Sequence, residues 1–260
     1  VLEHTHIWRN VMLQLQSPSH VYIQGGSLSV SLARSEFEIE EAQRLRYKVF
    51  AEEMGANIVS DNGLDIDKYD EHCQHLLVRE RENDRIIGCY RLLTAEGAAA
   101  VGGWYSASEF DLSRLQHILP QAVELGRACV HQDYRSGSTI TLLWAGLMQF
   151  MQQQGLEYMV GCGSMCMKDG GHTAASIFKR LQEQAYAPAE YRVFPKNPLP
   201  ITALQQDLNV EYPALLKGYV RAGAYICGEP HWDTDFNSAD VLVMMPLSRI
   251  NSRYARHFLK

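Results

Sequence analysis

The sequence predicts a single α/β domain built on a twisted, mixed β-sheet flanked by helices. Strand-like and helical stretches alternate along all 260 residues. The 46% hydrophobic content is ample for a large core. Residues 123–151, VELGRACVHQDYRSGSTITLLWAGLMQFM, read as a strand passing through a polar corner into a buried helix.

Residues 1–26 give no clear pattern and end at the Gly25-Gly26 break, so they are set apart as an extension. SLSVSLA (27–33) alternates like a strand. Ser35 and Glu38 form a capping box, and the helix they open runs to about Met54. Leu45 and Val49 face its core side; Arg46 and Phe50, also four apart, share the adjacent face. Residues 55–73 form an acidic loop. HLLVRE and IIGCYRLLT make a hairpin across Asn83-Asp84. A short helix is expected from Ser108 to about His117, and strands at 121–130 and 158–164. Ser138–Gln153 and Thr173–Gln184 read as helices, the first apolar nearly all round and therefore buried. The Pro-rich stretch 186–212 reads as an irregular connection. Pro213 suits the first turn of a helix to Ala222, and AYICGE and DVLVMMPL are the last strands. Residues 27–260 thus form one domain, with 213–260 as its C-terminal segment.

Charge narrows the function. With 24 basic and 30 acidic side chains, net −6, a generally basic nucleic-acid binder is excluded. Arg249, Arg253, Arg256 and Lys260 form a basic tail suited to a solvated end, an acidic partner or an anionic membrane surface. Six cysteines in mostly apolar stretches imply reduced thiols and a cytoplasmic protein, with a peripheral contact at the inner membrane face open to it. His72, Cys73 and His75 look like ligands, but no second cluster completes a set, so no metal is expected.

Glu124 and Arg127 are out of place in an apolar strand, because buried charges cost several kcal/mol unless paired. Strict alternation would put them on opposite faces. Gly126 permits a bulge that brings both to one side and frees backbone N–H groups for an acyl carbonyl. Beyond the strand, Arg135, Ser136, Gly137, Ser138 and Thr139 open a helix, whose N-terminal N–H groups suit a phosphate.

Strand, anion-binding corner and helix in this order resemble the acyl-CoA-dependent N-acetyltransferase (GNAT) superfamily. Ser138 and Ile140 stand at the glycine places of its phosphate loop, which points to phosphopantetheine on acyl carrier protein as donor. A narrower resemblance rests on RYKVFAEEMGA, YDEHCQHL, YRLL, WYSASEFDL, ELGRACVHQDYR and the tail from LLKGYVRAGAYICGEPHWDTDFNSADVL to RYARHFL. In this order they are similar to the L-ornithine N-alpha-acyltransferases, which carry out the first step of ornithine-lipid synthesis. The resemblance implies a sheet splayed between strands 121–130 and 158–164. It also implies transfer of a 3-hydroxyacyl group from acyl carrier protein to the α-amine of ornithine, giving lyso-ornithine lipid; an N-acyl amino acid synthase that uses glycine or tyrosine is the alternative. No permanently bound cofactor is implied; the acyl-phosphopantetheine arm is a substrate.

The related acyl-homoserine-lactone synthases have a pattern that maps onto Arg46, Phe50, Asp67, Asp70, Arg91, Glu124 and Arg127. Their tryptophan after the phenylalanine is absent, which argues against lactone synthesis. On this reading Glu124 is the base for the attacking amine, or else an ion-pair partner of Arg127. Arg46 or Arg91 clamps the substrate carboxylate, or ties down the loop through Asp67 and Asp70. Asp65, Asp67, Asp70 or Glu71 receives the side-chain amine of ornithine, with Asp233, Asp235, Asn237 and Asp240 as further acceptor contacts. Arg135, Lys168, Lys179 and Arg180 are the basic candidates for the acidic carrier protein.

Overall fold

A computed structural model describes residues 21–250 except Ser136. The chain runs β1 (Tyr22–Gly25), β2 (Leu28–Leu32), α1 (Glu36–Tyr47), β3 (Gln74–Glu80), β4 (Ile86–Thr94), α2 (Ala95–Val101), β5 (Phe110–Asp111), β6 (Ala122–Val130), α3 (Gly137–Gln154), β7 (Tyr158–Cys166), α4 (His172–Ala185), β8 (Phe194–Pro195), α5 (Ala214–Ala222), β9 (Tyr225–Ile226), β10 (His231–Asp233) and β11 (Ser238–Pro246). Ser35 caps α1 by accepting the Glu38 N–H at 3.3 Å, as its capping box predicts. A π-helical stretch, Lys48–Glu53, prolongs the helix.

The main sheet has the order β1-β2-β3-β4-β6-β7-β11-β10, with β9 also on β11. Its one parallel pairing, β6 with β7, is at the centre. α3, α4 and α5 pack on one face, against Val78, Leu92, Val123 and Leu125. α1 covers part of the other, against Leu77, Cys89 and Cys129. Residues 110–122 cover the rest of that second face, against Val160, Leu242 and Met244.

The sheet is splayed where the sequence places the splay. β6 and β7 pair only from Ala122↔Tyr158 to Leu125↔Gly161. Beyond that point β6 stays on β4 as far as Val130, and β7 stays on β11 as far as Cys166. Each half keeps its outer ladder while a gap opens between them. At the apex the backbones are close: a Cβ on Gly161 would lie 2.5 Å from the Leu125 carbonyl oxygen.

Four local points need correction. The sheet begins inside the N-terminal stretch set apart as an extension, because Tyr22–Gly25 pairs with Leu28–Ser31. The helix expected over 108–117 is instead two 3-10 turns around β5, since the Asp111 side chain takes the Ser113 N–H at 2.9 Å and breaks regular structure. A short helix does form at 95–101, capped by Thr94, where the strand-like run before it masked the signal. Pro213 sits at the N-cap of α5, just outside the first turn. No helix among the described residues is long and apolar enough to cross a membrane.

Candidate functional site

The site begins with one irregularity in β6. Between Cys89 and Arg91 of β4 the register shifts, so that Arg91 faces Gly126 while Cys89 faces Cys129. β6 therefore carries one extra residue, a β-bulge. Arg127 takes the left-handed conformation, at φ +49°, so the bulge turns there and not at Gly126. The consequence is the one the sequence suggests. Val123, Leu125, Ala128 and Val130 pack on the α3 side, while Glu124, Arg127 and Cys129 fall on the opposite face.

Glu124 is 3% exposed, and its two carboxylate oxygens each accept a backbone N–H at 2.7 Å, from Tyr105 and Ser106. Burial raises its pKa, offset in part by those N–H groups and by Arg91. It makes no ion pair with Arg127, so that alternative falls. A carboxylate held by two amides, with a raised pKa, is pre-aligned and able to take a proton.

Three arginines and three aspartates form one network beside it. Arg46, 1% exposed, donates from Nε to Asp65 at 2.8 Å and from Nη1 and Nη2 to Asp70 at 2.7 and 2.9 Å, and Nη2 also reaches the Asp65 carbonyl. Arg91 reaches Asp67 at 2.6 Å and Asp70 at 3.3 Å. Arg127 reaches Asp65 at 3.0 Å and Asp67 at 3.2 Å. Burial alone would raise the Asp70 pKa, but the Arg46 guanidinium holds it well below the usual carboxylate range. Arg46 is therefore not a substrate clamp; its fork is spent fixing the acidic loop. Nor are Asp65, Asp67 and Asp70 free for a substrate amine, because each already has an arginine. The rings of Tyr105 and Phe236 flank the Arg127 guanidinium, at 5.4 and 4.9 Å from their centroids. Phe50 meets Phe236 edge-on at 6.2 Å and closes that wall.

Unmatched acids lie across the splay. Glu109, Asp233 and Asp240 each offer an oxygen, all within 4.8 Å of one another, the one group among the described residues close enough to hold a cation. Sequence reasoning named the two aspartates but missed Glu109, which sits in the quoted WYSASEFDL motif immediately after the turn that holds Glu124. His75 is no ligand: it is buried, with Nε2 at 3.0 Å from the Asp70 carbonyl.

At the N-terminal end of α3, Gly137 and Ser138 lie exposed in its first turn. Ser136 is outside the described residues. Thr139 is fully buried and turned inward, its hydroxyl donating to the Tyr134 carbonyl at 2.7 Å. Arg135 pairs with Glu53 and also donates to the Val130 carbonyl at 3.1 Å. Arg180 donates to the Val210 carbonyl and lies over Tyr212. Lys168 and Lys179 are exposed. Sequence reasoning missed Lys48 and Arg85, which converge on His131 Nε2 at 3.3 and 2.9 Å and line a cavity of about 400 Å³. Arg249 lies over the Tyr225 ring, and the rest of the basic tail is outside the described residues.

Comparison with known proteins agrees with this architecture. Residues 45–145 match the model of the acetyltransferase (GNAT) domain. The L-ornithine N(alpha)-acyltransferase of Agrobacterium fabrum is 37% identical over 251 residues, covering 90% of this chain and 85% of that protein. The enzyme of the same name from Brucella abortus is 36% identical, covering 90% and 89%. Among solved structures, FeeM, an N-acyl amino acid synthase from uncultured soil microbes, superposes with a TM-score of 0.51 at 10% identity, over 89% of this chain and 95% of that one. The acyl-homoserine-lactone synthase LasI reaches a TM-score of 0.50 at 14% identity, over 89% and 94%. At such identities the last two speak for the fold alone.

Proposed function

Since the chain belongs to the L-ornithine N(alpha)-acyltransferase family, we propose that it moves a 3-hydroxyacyl group from acyl carrier protein to the α-amine of L-ornithine, giving lyso-ornithine lipid. The observation that carries the mechanism is Glu124, an amide-held carboxylate beside the point where β6 and β7 part. An amine attacks only when neutral. Its nitrogen forms the new bond to the thioester carbonyl carbon, the C–S bond breaks, and the amine proton passes to Glu124. The pantetheine thiolate leaves and takes a proton from water. Backbone groups freed at the bulge are suited to the carbonyl oxygen. Arg127 and Arg91, braced by Asp65, Asp67 and Asp70, keep positive charge next to the acceptor's α-carboxylate.

The donor arm enters from the α3 end, with its acyl chain between the sheet and α3–α5. Carrier protein is acidic, and Lys48, Arg85, Lys168 and Lys179 supply the local positive charge that the net charge of the chain does not. The test is incubation of the purified protein with 3-hydroxyacyl carrier protein and a panel of amino acids, without S-adenosylmethionine. Product mass should identify N-acylornithine. Preferential acylation of a neutral amino acid would overturn the acceptor assignment. Equal turnover with the matching acyl-coenzyme A would overturn the carrier-protein assignment.

A further inference from the structure

We infer that Glu109, Asp233 and Asp240 form the subsite for the side-chain ammonium of the acceptor amino acid. The inference rests on the acceptor reading above and deepens it, by naming the residues that distinguish a cationic amino acid from a neutral one.

The acidic loop looks in sequence like the natural partner of an ammonium, but its three buried or half-buried aspartates are matched by three arginines. Glu109 and Asp240 are 5% and 4% exposed, and among the described residues no Lys, Arg or His forms an ion pair with either of them or with Asp233. A buried carboxylate without a counter-charge is costly and tends to stay protonated. Burial raises the pKa of both Glu109 and Asp240; the Asp240 carboxylate pushes Glu109 further, and Asp233 pushes Asp240 further against the opposing pull of the Ser164 and Ser238 hydroxyls and of Arg127.

A second observation points to a missing donor. Asp240 Oδ1 is buried and has no hydrogen-bond partner. Native interiors rarely leave such an atom unmatched. An ammonium supplies three donors and a positive charge at once. Three tetrahedrally directed hydrogen bonds of about 2.8 Å put their acceptors about 4.6 Å apart. The oxygens of the trio lie within 4.8 Å of one another, close enough to converge on one ammonium.

Location fits as well. Asp240 stands on β11 opposite Ser164 of β7, and Asp233 on the neighbouring β10. Glu109 accepts the Cys162 thiol at 3.3 Å. Burial raises the pKa of that thiol, and Glu109, Asp240 and Glu124 raise it further, so these three carboxylates lie around Cys162. The arginine–aspartate network stands on the β4–β6 bank of the splay, the unmatched acids on the β7–β11 bank. An acceptor with its α-carboxylate toward Arg127 would extend its side chain across the gap toward them.

The test compares kcat/KM for ornithine and norvaline, the same amino acid without its side-chain amine, in the wild type, Glu109→Gln and Asp240→Asn. The wild type should prefer ornithine strongly, and each variant should cut that preference about tenfold to a hundredfold, mostly through KM. Thermal melts establish that each variant folds; if Asp240→Asn does not, Glu109→Gln and the wild-type comparison decide. Ornithine acylated with its preference intact in both variants, or norvaline used as well as ornithine by the wild type, overturns the subsite alone. A Mg²⁺ or Mn²⁺ requirement that Asp240→Asn abolishes also overturns it, in favour of a metal. Failure of the wild type to acylate ornithine at all overturns the acceptor reading, and the subsite with it.

Discussion

Replacing Glu124 with Gln tests the chemistry most directly. Each carboxylate oxygen accepts one backbone N–H at 2.7 Å, from Tyr105 and Ser106. A glutamine has one oxygen and one NH₂ group, so in either orientation one buried N–H faces another donor. An unmatched buried group of this kind costs about 1–3 kcal/mol. Removal of a buried negative charge offsets part of that. Loss of a general base costs about a hundredfold to ten-thousandfold in kcat. The pH profile separates the two effects. The base works ionised, so wild-type kcat should rise with pH through a carboxyl pKa that burial has raised above its usual value. That limb should vanish in Glu124→Gln, whereas a merely loosened fold would keep it. Turnover is followed by release of the carrier-protein thiol, and stability by urea unfolding. A variant with kcat within about threefold of wild type and an unchanged acid limb would refute the role of Glu124 as base.

Four further outcomes follow from the same structure. Burial lowers the His75 pKa to about 4, against about 6.5 in an unfolded chain. The unfolded state therefore binds the extra proton first, and stability should fall by roughly 3 kcal/mol as pH drops through that window; His75→Gln keeps an N–H donor and should remove the slope, as read by urea unfolding at several pH values. Below about pH 4 the loss should continue, because Asp70 carries a depressed pKa and its pairing is lost on protonation. Arg46→Met takes the nearest partner from the buried Asp65 and Asp70 carboxylates, leaving them only Arg127 and Arg91, and should cost up to about 3–5 kcal/mol in the same assay. Gly161→Ala drives a methyl against the Leu125 carbonyl at the apex of the splay; it should lower thermal stability and donor affinity together, and an unchanged melting temperature would count against so tight an apex.

Much of the fold follows from the order of residues alone, because period and capping are local properties. The Ser35–Glu38 box, the apolar α3 and the paired β3 and β4 strands are set by neighbours within a few residues, and each lies where the sequence puts it. The charged strand was legible too, since Glu124 and Arg127 contradict their apolar surroundings. Which residue bends was not: the left-handed turn falls on Arg127, because its guanidinium gains Asp65, Asp67 and two aromatic rings only from that side. Partner choice among charges was likewise undecided. Ion pairs between Arg46 and residues 65 and 70, or hydrogen bonds from Tyr105 and Ser106 to Glu124, join segments distant in the chain, and no spacing rule ranks such combinations. The sequence by itself determined that one α/β domain would carry a carboxylate and an arginine on a bulged central strand. Only tertiary structure decided which acids are neutralised and which remain unmatched, because that depends on which side chains share a buried, low-dielectric space.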